Sequence, residues 1–390
     1  MNLRLRRTVM VFAGLAVLGI FAVALAAQNP SAPAQSAIDL SHAAGAPNGL
    51  PIWAYPVNPP IGRGRGAAAG AAAPGGAAAT GAPPAGAPAG APTAVPGGAP
   101  ASAPAARGPA PDDGALMHVP GSTAGYTKTY IANLFTVPDW FPASHPPMPD
   151  VVATGNKTAG VQACGYCHLP NGQGRPENQS VAGLPAAYIL QQLSDFKSGL
   201  RKSSEPRMGS VAFMVRIGKA IGDDDAKAAA DYFASIKPKP WIRVVESNTA
   251  PVSHPAGGLM VRTDGGGTEP IGERIIELAE DQDRFELRDS NAGFVAYVPT
   301  GSIKKGEALV KTGNGGETIP CTTCHGADLK GLGNIPSIAG RSPSQMVRQI
   351  IDMQTGARNG LQSALMKPVI AKLTNDDIVN ITAYLASLTP

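Results

Sequence analysis

The sequence predicts a mainly α-helical protein: two copies of one helical module, a small β-containing insert between them, and a disordered Ala/Pro/Gly-rich N-terminal region. Three observations carry this prediction. Residues 155–240 and 302–390 align with each other, residues 62–111 contain almost nothing but Ala, Pro and Gly, and the stretch between the copies lacks helical spacing.

The repeat appears when the chain is shifted against itself. At an offset of 157, Cys164, Cys167 and His168 fall on Cys321, Cys324 and His325. Without a gap, Ala182-Gly183 falls on Ala339-Gly340, Gln192 on Gln349, Gly199 on Gly356 and Arg201 on Arg358. Beyond that the offset is 152, and Met214 falls on Met366, Asp224-Asp225 on Asp376-Asp377, and Tyr232 on Tyr384. Two copies that differ by five residues in a single loop imply two similar domains.

Each copy reads as three helices around the Cys motif. The first ends at the Cys pair, and the second, over 185–197 and 343–354, has apolar residues at helical spacing. The third opens on an acidic capping pattern, Gly222-Asp223-Asp224-Asp225 or Thr374-Asn375-Asp376-Asp377. Between the copies, 241–245 and 294–298 read as strands, and 270–278 as a strand or a short helix.

The pentapeptide Cys-x-x-Cys-His occurs twice, at 164–168 and 321–325, and uses all four cysteines. It reads as a c-type haem attachment site, whose thiols form thioethers to the haem vinyl groups while the histidine becomes an iron ligand. A zinc site built from two C-x-x-C pairs closes with a spacer of roughly 15–20 residues, whereas Cys167 and Cys321 are 154 positions apart. A thioredoxin-like pair sits near a βαβ pattern, and neither motif does. A disulfide inside each motif leaves both histidines without a purpose. Two c-type haems are therefore expected, held covalently by Cys164, Cys167, Cys321 and Cys324, with His168 and His325 on the irons.

A six-coordinate haem needs a second axial ligand. Met214 lies 46 residues after His168 and Met366 lies 41 after His325, each just ahead of the last helix. A lone Met ordinarily fills gaps in a core; recurrence at the same place in both copies marks these two as ligands, with Met208 the alternative to Met214. His42, His118, His145 and His254 read as structural or surface residues, and a bis-histidine haem would draw on His145. Arg341, Arg348 and Lys330 are able to pair with haem propionates, although solvated surface charge is the commoner fate of such residues.

The order C-x-x-C-H, Ala-Gly, Gln, then Lys-Ser-Gly-Leu-Arg or Gln-Thr-Gly-Ala-Arg, then Met and an acidic helix ending in Tyr-Phe-Ala-Ser or Tyr-Leu-Ala-Ser resembles class I cytochrome c domains. The tandem arrangement resembles the bacterial dihaem members of that family. The likeness covers about 155–238 and 302–390. It implies two tandem cytochrome c domains, His/Met ligation and outer-sphere electron transfer in the periplasm. The insert at 241–301 and the long N-terminal region depart from the family pattern.

The N-terminus carries Arg4, Arg6 and Arg7 and then an apolar run from Val9 to Ala27. This fits a signal peptide cleaved after Ala26 or a retained membrane anchor over 1–27. Residues 28–61 contain a short aromatic segment, Pro51-Ile52-Trp53-Ala54-Tyr55-Pro56, expected to bury its rings. The stretch 62–111 reads as a disordered linker, with a span of about 40 Å as a flexible coil. Residues 112–154 read as an irregular extension packed on the first haem domain.

The formal charge of +4 is concentrated at the N-terminus, where Arg4, Arg6, Arg7, Arg63, Arg65 and Arg107 face only Asp39, so that residues 112–390 total −1. That balance excludes the basic footprint of a nucleic-acid partner.

Three functions fit. The first is a non-enzymatic electron carrier with no catalytic residue, its partners redox proteins such as a dehydrogenase, a quinol-oxidising complex or a terminal oxidase. The second is the haem subunit of a periplasmic dehydrogenase complex, held to the inner membrane by residues 9–27 if the leader is kept. The third is a dihaem enzyme such as a peroxidase, which needs an open distal site that two well-placed methionines argue against.

Overall fold

The structure, a computed structural model, describes residues 50–57 and 114–390. The leader at 1–27, the linker at 62–111 and His42 lie outside the described residues. What is described contains twelve α-helices and nine short strands, and among the described residues no helix is long and apolar enough to cross a membrane.

The chain enters through an extension made of a two-strand ladder, β1 (Leu116–Met117) and β2 (Tyr126–Thr127), and a short helix α1 (Lys128–Ala132). Trp140 anchors it. The indole is buried among Val119 and Ile131, and its Nε1 donates to the Leu287 carbonyl at 2.9 Å. The extension also meets the first Cys motif, since Ala163 N donates to Leu134 O at 3.0 Å and Tyr166 Oη to Ala132 O at 3.3 Å.

The first module comprises α2 (Asp150–Ala153), α3 (Cys164–His168), α4 (Ala186–Lys197), α5 (Gly209–Ala220) and α6 (Asp223–Ser235). The insert follows with β3 (Ile242–Glu246), β4 (Thr249–Pro251), β5 (Ser253–Ala256), β6 (Leu259–Arg262), β7 (Thr268–Pro270), β8 (Ile276–Ala279), α7 (Gln282–Glu286) and β9 (Phe294–Val298). The second module holds α8 (Ser302–Thr312), α9 (Thr322–His325), α10 (Pro343–Gln354), α11 (Ser363–Ile370) and α12 (Asn375–Ser387).

Two differences from the sequence reading concern the helices. The first helix of each copy stops well short of the cysteines, and the Cys-x-x-Cys-His segment forms its own one-turn helix. In addition, both methionine-bearing segments are helices beyond the three expected in each copy: α5 carries Met214 and α11 carries Met366. The predicted cap of the last helix is present in full in the second copy, where Thr374 Oγ1 accepts from Asp377 N at 3.2 Å and Asp377 Oδ2 accepts from Thr374 N at 2.8 Å. In the first copy Gly222 stands at the cap without a side-chain bond.

In the insert, β9 is the central strand of a three-strand sheet, parallel to β3 and antiparallel to β8. Its run Phe294-Val295-Ala296-Tyr297-Val298 is buried at every position but Tyr297, as a strand covered on both faces requires. Against this sheet lies α10, the most enclosed of the described helices, buried at ten positions. Trp53 and Tyr55 of the N-terminal segment fill the same core. Tyr55 Oη donates to Asp352 Oδ1 at 2.8 Å and Arg348 Nη1 to Ala54 O at 2.8 Å.

The two modules meet about a local pseudo-twofold axis. Arg201 and Arg358, equivalent in the repeat, form an antiparallel bridge. Lys202 N donates to Ala357 O at 2.8 Å and Asn359 N to Leu200 O at 2.7 Å, and the 157-residue offset maps each of these bonds onto the other. Such self-matching contact is the isologous interface of a symmetric dimer, here within one chain.

Candidate haem sites

Each module encloses one deep cavity beside its Cys motif. The first is walled by Cys164, Cys167, His168 and Met214 among mainly apolar side chains. The second is walled by Cys321, Cys324, His325 and Met366. With their open mouths, solvent included, they span about 1180 and 1800 Å³ of space.

The loop after each histidine fixes the ring. His168 Nδ1 donates to the Gln179 carbonyl at 2.8 Å, and His325 Nδ1 donates to the Pro336 carbonyl at 2.8 Å; Gln179 and Pro336 are equivalent under the offset. A carbonyl only accepts, so both rings carry their proton on Nδ1 and keep the Nε2 lone pair for a ligand. Burial, the largest influence on each, lowers both histidines below their ordinary range, which keeps them neutral, the form that binds metal. The loop itself is held by matching bonds, Gly174 N to His168 O at 2.9 Å and Gly331 N to His325 O at 2.9 Å.

No disulfide joins any two of the four cysteines. Burial pushes the Cys164 thiol up to about 12 and Cys321 up to about 11, and it raises Cys167 as well. Among the described residues no cluster of three or more His, Cys, Asp or Glu is arranged to hold a metal ion.

The other candidate residues sort by position. Met208 is fully buried in the core shared with the insert, away from the first cavity, while Met214 faces it. His145 stands outside both cavity walls: its Nε2 lies 3.1 Å from Asp139 Oδ1 and its Nδ1 3.0 Å from Tyr232 Oη. His118 is bonded to Ala124 O and His254 to Thr263. Arg341 and Arg348 are buried rather than solvated, and each lines a cavity; Lys330 is exposed and donates to Pro390 O.

Sequence reasoning assigned no role to Arg201 and Arg358. They line the first and second cavities respectively, and their equivalence in the repeat, together with that of Gln192 and Gln349, was the available signal.

A helical fold with two cavities, each offering a thiol pair, a neutral imidazole and a thioether, is that of a protein built to hold haem. Comparison with known proteins agrees. The cytochrome c family model matches residues 303–389. Cytochrome c4 of Azotobacter vinelandii is 26% identical over 247 residues, covering 60% of this chain and 90% of that protein. Cytochrome c-554(548) of Halomonas halodenitrificans is 38% identical over 68 residues, 17% of this chain and 82% of that protein. The thiosulfate dehydrogenase electron acceptor of Thiomonas intermedia is 24% identical over 230 residues, 58% of this chain and 78% of that protein. The chain belongs to the cytochrome c family. It is a c-type cytochrome of electron transfer, with covalently bound haem c.

Proposed function

We propose that the chain is an exported dihaem cytochrome that carries electrons between redox proteins through two His/Met-ligated haems, without catalytic chemistry of its own. The observation that carries this reading is the equivalence of the two cavities: each has a Cys pair, a histidine with its proton held on Nδ1 by a carbonyl, and a methionine on a helix across the space.

When bound, haem supplies a one-electron ferric/ferrous couple. The residues do the rest. Cys164 and Cys167, and Cys321 and Cys324, would hold the haems by thioether bonds, and Nε2 of His168 and of His325 would bind the irons. The sulfurs of Met214 and Met366 would be the second ligands, a choice that would raise the potential, and the apolar walls would exclude water.

The test is the haem stoichiometry of protein matured in a haem-competent host. Two haems per chain that resist acid-acetone extraction, with a near-infrared Fe–S(Met) band of two-haem intensity, are expected. One haem, extractable pigment or a high-spin signal with peroxide turnover overturns the reading.

A second reading, haem subunit of a periplasmic dehydrogenase complex, is favoured by the likeness to a thiosulfate dehydrogenase electron acceptor. The extension and insert would then bind the catalytic partner. A pull-down from native membranes, with the mature N-terminus sequenced, separates the two readings and decides between a released periplasmic protein and one tethered by residues 9–27.

A further inference from the structure

We propose that the insert and the N-terminal extension seal the first module's haem edge, so that the second module is the port through which electrons enter and leave this chain. The inference rests on the two-haem reading and assigns a role to the two parts that have no counterpart in the repeat.

The two modules present the same loop differently. In the first, residues 169–176 after His168 are buried without exception, whereas among their equivalents 326–333 only Leu329 is buried and five are exposed. The motif itself follows suit. Tyr166 is buried where its equivalent Thr323 is exposed, and Cys167 is half-buried where Cys324 is exposed. Thioether bonds would set one edge of a haem against this segment, so its burial decides what can approach that edge.

The cover is built from named contacts. From the insert, the Ser290 and Ala292 carbonyls accept from Asn171 Nδ2 at 2.6 Å and Gln173 Nε2 at 3.0 Å. Arg288 lays its guanidinium on the Tyr166 ring, 3.5 Å from the centroid, and Nη1 donates to the Tyr166 carbonyl at 2.8 Å. The chain holds Arg288 at φ 57° to do so, in the left-handed region that costs a non-glycine residue about 1–3 kcal/mol. From the extension, Leu134 and Val137 pack with Tyr166 and Cys167. The bond from Trp140 to Leu287 O ties the two halves of the cover together.

The methionine side shows the same contrast. Arg216 lies over Phe213, 4.2 Å from the ring centroid; at the equivalent places the second module has Pro368 and Leu365. Leu365 is 73% exposed and Leu332 64%, and Ile319 and Leu365 line the second cavity together with Cys324. One electron moves at each step. An external donor loses it, the second haem iron goes from ferric to ferrous, and that iron returns to ferric as the first becomes ferrous.

Two measurements on the holoprotein test this. A neutral gadolinium chelate reports access without electron transfer. In the reduced protein it is expected to broaden the haem-methyl NMR resonances of the second haem and leave those of the first sharp, with Met214→Ala marking which set belongs to the first. In stopped flow, ferricyanide oxidises the reduced protein at about 0.01 M ionic strength. Leu332→Glu puts an anion on the open rim and is expected to slow the loss of both reduced bands by about threefold or more, an effect that about 1 M salt removes. Lys128, exposed on α1, lines a cleft with Tyr166 and Arg288. Lys128→Gln makes the same change of net charge on the cover and is expected to keep both rates near wild type. Leu365→Glu repeats the test if Leu332→Glu fails to mature. Broadening of both sets or of neither, a half-amplitude phase that Leu332→Glu leaves untouched, or equal slowing by Lys128→Gln overturns the proposal. A wild-type protein with a single haem instead removes the two-haem reading beneath it.

Discussion

Leu169 and Gly326 occupy the same turn after the two motif histidines, both with positive φ, 63° and 85°. Three residues on, the identities are exchanged: Gly172 has φ 68° where its equivalent Leu329 has 63°. A leucine at positive φ costs roughly 1–3 kcal/mol, so both copies tolerate that strain once to keep one loop geometry. The bonds from Gly174 to His168 and from Gly331 to His325 explain why: the loop aims the imidazole.

Gly326→Ala tests that geometry. The backbone there has positive φ with extended ψ, a region kept almost wholly for glycine, and a Cβ would sit 3.1 Å from Gly331 O, so a loss of about 1–3 kcal/mol is expected, read as a lower urea midpoint of the holoprotein with an unchanged slope.

Met214→Ala is expected to halve the Fe–S(Met) band and leave one haem with an open or water-filled axial position. Met208→Leu, a volume-conserving change in the neighbouring core, is expected to keep the full band and cost under about 1.5 kcal/mol. The opposite pattern in near-infrared absorption would make Met208 the ligand.

Tyr55→Phe removes a hydroxyl bonded to the buried Asp352 carboxyl. Asp352 keeps Ser204 as a donor, so the expected cost is about 1–1.5 kcal/mol by chemical denaturation, with no change in either haem spectrum.

Trp140→Ala empties the core of the extension and breaks its bond to Leu287. A loss of about 3–5 kcal/mol is expected from a buried tryptophan, and limited proteolysis should first cut within 114–150.

His145 gives a pH signature. Burial works against its charged form, but the bond to Asp139, the Pro146 carbonyl and the Asp139 charge outweigh it and raise its pKa. A raised folded-state value means stability that is fully present below the unfolded value of about 6.5 and is lost as pH rises through the folded value. The wild type is thus expected to gain thermal stability over His145→Gln on moving from pH 8 to pH 5.5; equal differences at both pH values would contradict this.

What was legible in the sequence follows the physics of each part. Covalent attachment demands Cys164, Cys167 and His168 at fixed spacing, so the motif and its second copy stand out without any structure. The strands at 242–246 and 294–298 announce themselves through β-branched and aromatic runs. The methionine helices do not. Gly209 and Gly218 weaken the helical signal of α5, and Pro368 interrupts α11. Nor did Arg341 and Arg348 look buried, because a charged residue reads as surface until its cage of carbonyls and serines is seen.

The insert is bonded to both modules. Its Ser290 and Ala292 carbonyls accept from Asn171 and Gln173, while its sheet packs on α10 and α12. With the Arg201–Arg358 bridge on the other side, the path from one module to the next and back closes into a loop with no hinge in it. Distance between the halves is thereby set by construction rather than by motion, and glycerol in the buffer should not slow what passes between them.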